Sequence, residues 1–76
     1  MKKEHTEYKH TCTVHNTDKS KDVTADVLDF YPEKHLIVSI EKSAKVTLKY
    51  NHFHGIYVGS SAGLEFTSNG PERYDY

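Results

Sequence analysis

Hydrophobic and polar side chains alternate along most of this chain, so the dominant period is two residues. In segment 8–15, Tyr8, His10, Cys12 and Val14 fall on one face, and the same alternation recurs further along. The other alternating runs are 23–27, 36–40, 46–50, 56–58 and 64–67. A two-residue period is typical of β-strands with one buried face, and no eleven-residue window has the period of an amphipathic helix. We therefore predict an all-β fold.

Polar segments rich in turn-forming residues separate these runs, and they lie at 16–22, 31–34, 41–43 and 51–55. Short strands about 10–12 residues apart, with turn signals between them, are typical of an antiparallel meander. Closure of such a sheet into a barrel removes its exposed edges. We predict one small all-β domain of five or six strands, forming an SH3-like or Sm-like small barrel or a strongly coiled sheet.

The length of 76 residues limits the chain to a single core. The predicted β domain spans 8–70, the charged segment 1–7 is expected to be flexible, and 71–76 is expected to be a C-terminal tail. A domain this small is marginally stable, which favours association with a second copy. The sequence shows neither a signal peptide nor an apolar run of about 18 residues, so we predict a cytoplasmic protein that binds no membrane.

Ten Lys and Arg residues oppose eleven Asp and Glu residues, for a formal net charge of -1. A chain so close to neutrality is not a polybasic binder of nucleic acid or membranes. Nine of the ten basic residues are Lys, which is typical of AT-rich bacterial or phage genomes, so the expected compartment is a bacterial or infected host cell. The single cysteine, Cys12, excludes an internal disulfide and a zinc site with two thiolates.

Residues 59–63 match the G-x-S-x-G string of serine hydrolases. That chemistry requires a strained strand-to-helix turn, with a His and an acid held by a large α/β sheet, which a chain of this length cannot build. Two glycines among small residues equally suit a kink within a strand. We interpret the string as structural, and we predict a protein that is not an enzyme and has no cofactor.

His52 and His54 are two residues apart, so on a strand both rings would lie on one face. A metal site also needs a third ligand and ordered partners, which this pattern does not supply. Solvated polar surface is the favoured interpretation. No metal is predicted, and metal binding by this His pair stays an alternative.

Between Lys42 and Leu64 the chain has three Lys and no Asp or Glu, with aromatic residues interleaved. In small barrels, a basic strand beside exposed aromatic rings binds single-stranded nucleic acid. Lysines on strands also block edge pairing, and the single Arg argues against strong phosphate binding. Nucleic-acid binding is therefore the alternative function, with candidate residues Lys42, Lys45, Lys49, Tyr50, His52 and Phe53.

Segment 27–40 is apolar on both faces of its predicted strands. Leu28, Phe30 and Ile37 share the parity opposite the core positions. A monomeric barrel buries one face, so these three side chains either form an interface between copies or are turned inward by a β-bulge near Asp26 to Asp29. We predict a homo-oligomer, most simply a dimer, with all three in its interface. The favoured function is a non-enzymatic module that acts through protein–protein contacts or self-assembly.

Overall fold

The computed structural model describes residues 8–73, which form six antiparallel β-strands and no helix. The strands pair in chain order and close into a barrel, which confirms the prediction of a single small all-β barrel domain. Their bounds are β1 Thr11–Asn16, β2 Lys21–Tyr31, β3 His35–Ile40, β4 Ala44–Asn51, β5 Ile56–Ser61 and β6 Leu64–Ser68.

The strand ends define two ends of the barrel. The turns at 17–20, 41–43 and 62–63 lie at one end, which we call the β1–β2 end. The connections at 32–34 and 52–55 lie at the opposite end, which we call the β4–β5 end.

Barrel closure between β1 and β6 is short. Only His15 and Asn16 of β1 pair with β6, at Thr67 and Phe66. The two chain segments separate beyond this point and meet again where the backbone amide of Lys9 donates to the carbonyl of Glu72 at 2.9 Å. A groove therefore opens between β1 and residues 68–72. The predicted flexible segment 1–7 lies outside the described residues, as do residues 74–76.

The core follows from the alternation of each strand. Every second side chain points into the barrel, and Val14, Leu36, Val38 and Leu48 are completely shielded from water. Burial of such a side chain contributes about 1.5–3 kcal/mol to folding. The remaining buried hydrophobic side chains are Cys12, Ala25, Val46, Tyr57 and Phe66.

A β-bulge interrupts β2 at Leu28. Val27 pairs with Val38 of β3, yet Asp29 pairs with the adjacent Ile37, so Leu28 is an extra residue without a partner. The bulge reverses the alternation, because two consecutive residues of β2 then point outward. The prediction that Leu28, Phe30 and Ile37 all point to one outer face is therefore wrong for Phe30. Phe30 pairs with Leu36 and packs against the core.

Residues 59–63 form the end of β5 and a hairpin turn, not a kink within one strand. Ala62 and Gly63 have φ angles of 53° and 78°, the left-handed pair of a two-residue hairpin turn. Gly59 is needed for a different reason, since a Cβ atom there would lie 2.2 Å from the carbonyl oxygen of Thr47. The small side chains of this string thus allow β4 and β5 to approach closely.

Candidate functional site

Lys45, Thr47 and Lys49 form an exposed row on the outer face of β4. Their positions alternate with the buried Val46 and Leu48, and strand geometry places the Cα atoms of Lys45 and Lys49 about 13 Å apart. The ion pairs among residues 8–73 include neither of these lysines. This row is an exposed basic surface within the acid-free stretch.

Lys42 belongs to a different environment. It lies in the turn between β3 and β4, and its Nζ atom is 3.8 Å from Oδ2 of Asp26. A second acid of β2, Asp29, holds Nε2 of His35 at 3.0 Å. The stretch that is free of acids in sequence is therefore bordered by β2 carboxylates in space, which weakens its positive potential.

The tip of the β4–β5 hairpin presents Phe53 to solvent, with 91% of its surface exposed. The side-chain oxygen of Asn51 accepts hydrogen bonds from the amides of Phe53 at 2.9 Å and His54 at 3.1 Å. Gly55 then donates to the Asn51 carbonyl at 2.7 Å with a φ angle of 71°. An Asn side chain that bonds amides two and three residues ahead stabilises a turn, so Phe53 is held at a fixed position.

Tyr50 contributes to structure rather than to the exposed tip. Its ring is half-buried and lies 4.9 Å from the ring of Tyr57 and 4.8 Å from that of His52. His54 instead contacts Phe53 at 5.3 Å. Both histidines lie in the turn and not on a strand, so the two-residue spacing does not place their rings on one strand face. Within residues 8–73 no group of three His, Cys, Asp or Glu side chains is placed to hold a metal ion.

The structure thus brings together only some of the residues predicted to bind nucleic acid. Lys49 is next to the hairpin tip that carries Phe53, and Lys45 continues the row toward the opposite end. Lys42 is separated from them by its contact with Asp26, and Tyr50 is covered by Tyr57.

A second exposed surface lies on β2 and β3, and we call Leu28, Tyr31 and Ile37 the outer patch. Leu28 is 54% exposed and Tyr31 is 58% exposed, while Ile37 is half-buried. The sequence pattern predicts a turn at 31–34, where Tyr31 precedes Pro32, and so gives no sign that Tyr31 belongs to this surface. The bulge at Leu28 brings Tyr31 to the outer face. The apolar residues on both faces of 27–40 allow such a bulge but do not by themselves establish it.

The groove between β1 and residues 68–72 has a volume of about 530 Å³ and a polar lining. Its ionisable side chains contact each other in pairs, since Lys9 Nζ lies 3.1 Å from Glu72 Oε1 and His15 Nδ1 lies 2.6 Å from Asp22 Oδ1. Its other lining residues include four threonines, Thr11, Thr13, Thr24 and Thr67.

Cys12 and Ser68 also line this groove. Burial raises the pKa of the Cys12 thiol, and the hydrogen bond from the Ser68 hydroxyl opposes that rise only in part. Ser68 mainly donates to the carbonyl of Thr13 at 2.7 Å. The thiol is therefore protonated at neutral pH, whereas nucleophilic cysteine chemistry requires a thiolate.

Comparison with protein-family models, with curated proteins and with solved structures gave no match for this chain. In residues 8–73 there is no helix of the length and apolarity that crossing a membrane requires. The class that the fold defines is a small closed β-barrel of six strands in meander order.

Proposed function

We propose that this protein is a non-enzymatic module that acts through protein–protein contacts, and that its first partner is a second copy of itself. The outer patch carries this proposal. The bulge at Leu28 directs an apolar side chain outward beside Ile37, although the same strand buries Val27 and Phe30 against the core. Exposed apolar side chains that lie together are typical of interaction surfaces.

The charges around the patch favour a two-fold arrangement. Asp26 and Asp29 border it on β2, and Lys45 and Lys49 border it on β4, with Ile37 of β3 between them. A two-fold axis parallel to β3 would place the partner's β2 over β4, so that acids face lysines across the interface. A C2 interface requires such self-complementarity.

Sedimentation velocity at about 100 µM tests the proposal, since a weak dimer associates in this range. The wild-type protein is expected to sediment as a dimer, and both Leu28→Asp and Ile37→Asp as monomers. Phe53→Asp is the matched control because it adds the same charge to another exposed apolar residue, and it should remain dimeric. A monomeric wild-type protein, or equal effects of all three variants, would contradict the proposal.

Charge exchange separates this geometry from nonspecific association. Lys45→Glu should weaken the dimer because the variant side chain would face Asp26 of the other copy. Asp26→Lys in the same chain should restore it, and the pair should give a favourable coupling in a double-mutant cycle. Additive effects would exclude the proposed orientation of the two copies.

Single-stranded nucleic-acid binding is the second candidate, and the exposure of Phe53 favours it. Lys45 and Lys49 run along β4 toward the hairpin tip, where an exposed ring is available for base stacking. Base stacking on an aromatic side chain is worth about 1–3 kcal/mol per base. The small number of unpaired lysines predicts weak binding with a shallow salt dependence.

Fluorescence anisotropy with a labelled oligothymidylate tests this candidate at about 50 and 200 mM salt. Binding should weaken at the higher salt concentration, and Phe53→Ala should weaken it about tenfold through lost stacking. Phe53→Tyr keeps a ring and should bind like the wild type. Absence of binding at tens of micromolar protein in low salt, about 50 mM, would exclude this function.

A further inference from the structure

The barrel is open at its β1–β2 end, where a pocket of about 270 Å³ lies above the core; we call it the end pocket. Phe66 is buried at this site, while Val23, Ile40 and Leu64 are half-buried around it. These side chains pack against the core cluster and are not fully covered by it. Ala44 lines the same pocket and is exposed. The pocket thus offers an apolar surface that water reaches.

Two lysines lie at the rim of the end pocket. Lys21 of β2 pairs with Asn16 of β1, and Asn16 pairs with Phe66 of β6. Directly paired residues point to the same face of a sheet, so all three face the inside of the barrel. Lys21 therefore emerges on the pocket side of its strand, unlike the outward-pointing lysines of β4. Lys19 lies in the adjacent turn, where its amide donates to the side chain of Asn16 at 3.2 Å. This bond holds the turn against the rim.

Lys19 and Lys21 at the rim of the end pocket are available to an anionic ligand. The ion pairs within the part of the chain that the structure describes involve neither Lys19 nor Lys21. Glu41 is the one acid among the pocket-lining residues, so the lining has an excess of positive charge. An apolar interior beneath two lysines is complementary to a molecule with an alkyl chain and an anionic head.

We propose that the end pocket binds a single-chain anionic amphiphile, specifically a medium-chain carboxylate. The alkyl chain lies against Val23, Ile40 and Leu64, and the carboxylate accepts hydrogen bonds from Lys19 and Lys21. The volume limits the chain length, because 270 Å³ is just below the roughly 300 Å³ at which ligand pockets usually begin. A two-chain lipid does not fit a pocket of this size.

Charge and size together favour this ligand over the alternatives. A neutral alcohol would leave both ammonium groups without a partner, and a cationic amphiphile would be repelled by them. A short inorganic anion would gain nothing from the apolar surface. The larger groove beside β1 is unsuited to an alkyl chain, since threonines and paired charges line it.

Titration with sodium decanoate below its micelle concentration, followed by two-dimensional NMR, tests the proposal. Amide and methyl signals of Val23, Ile40 and Leu64 should shift, and those of Leu28 and Ile37 in the outer patch should not. A series of hexanoate, octanoate and decanoate should gain about fourfold in affinity for each methylene that the pocket buries. Shifts confined to the outer patch, or no shifts at all, would overturn the proposal.

Two variants and one further probe separate the pocket from general detergent binding. Lys19→Glu/Lys21→Glu should weaken decanoate binding about tenfold through lost ion pairing, while Lys34→Glu, in the exposed connection at the opposite end of the barrel, should leave it unchanged. Ala44→Leu fills the pocket from an exposed position and should abolish binding in a protein that remains folded. Equal affinity for decanoate and decyltrimethylammonium, or equal effects of the Lys19/Lys21 and Lys34 variants, would overturn the assignment.

Discussion

The hydroxyl group of Tyr57 accepts a hydrogen bond from the backbone amide of Glu33 at a distance of 2.9 Å. Tyr57 is buried in the core on β5, and Glu33 lies in the connection between β2 and β3 with a φ angle of 60°. A core side chain thus satisfies a backbone donor in a left-handed turn residue. This bond joins β5 to the connection between β2 and β3, which is far from β5 in sequence.

Tyr57→Phe should lower the free energy of unfolding by about 1 kcal/mol, because the Glu33 amide loses its acceptor in a partly buried position. Urea denaturation measures this change. Tyr31→Phe is the control. The Tyr31 side chain is exposed, so its hydroxyl bonds water in both the folded and the unfolded protein, and its removal should leave the free energy of unfolding nearly unchanged. Equal stability of wild type and Tyr57→Phe would show that water replaces the bond.

Gly59→Ala should lower the free energy of unfolding by about 3 kcal/mol, because its Cβ atom would overlap backbone atoms that cannot rotate away. The nearest are the carbonyl oxygen of Thr47 at 2.2 Å and the Cα atom of Leu48 at 3.0 Å. Gly63→Ala is the matched control, because its Cβ atom would meet nothing within 4 Å. That variant should lose only the 1–2 kcal/mol, roughly, of a left-handed alanine. Thermal or urea unfolding of both variants gives the comparison, and equal losses would contradict the clash.

Asn51→Ala should lower stability by about 1 kcal/mol and release the hairpin tip, because the amides of Phe53 and His54 lose their shared acceptor. Backbone NMR relaxation should report greater motion in residues 52–55, with the strand residues unchanged. Asn69→Ala removes the same side chain from an exposed position and should have little effect. An unchanged order of residue 53 in Asn51→Ala would mean that Gly55 alone maintains the turn.

Cys12 should make the protein less stable in alkaline solution. Its pKa in the folded state is raised above the ordinary value of 9.0, chiefly by burial. The unfolded chain therefore loses the thiol proton first, and this contribution to stability is complete below pH 9.0 and is lost as the pH rises through the folded pKa.

Urea unfolding of the wild type and Cys12→Ala on both sides of pH 9.0 measures this effect. The wild type should lose more stability than the variant as the pH rises, because both share every other titrating group. Cys12→Ala is less stable at neutral pH for a separate reason, since it removes buried volume. A stability difference that does not change with pH would contradict the raised thiol pKa.

Local alternation was sufficient to predict the strands and most of the core. Val14, Val38, Val46 and Leu48 could be placed inside the barrel because adjacent side chains of a strand point to opposite faces whatever the strand pairs with. The connection at 52–55 was also predictable, because Asn and Gly favour turns through their own backbone and side-chain chemistry. Closure into a barrel was expected on the general ground that it removes edges.

What the sequence by itself determined is therefore the period, the strands, the turns and the inner face of each regular strand. Only the tertiary structure decided between a regular β2 and a β2 interrupted by a bulge, since a bulge depends on the register between two strands. That single extra residue turned Phe30 inward and left Leu28 and Tyr31 outside. Pairing of β2 with β3 likewise places Asp26 beside Lys42. Closure between β1 and β6 brings residues of β2 and β6 together around the end pocket. These relationships join residues distant in the chain, and a local pattern carries no information about which strands meet or in what register.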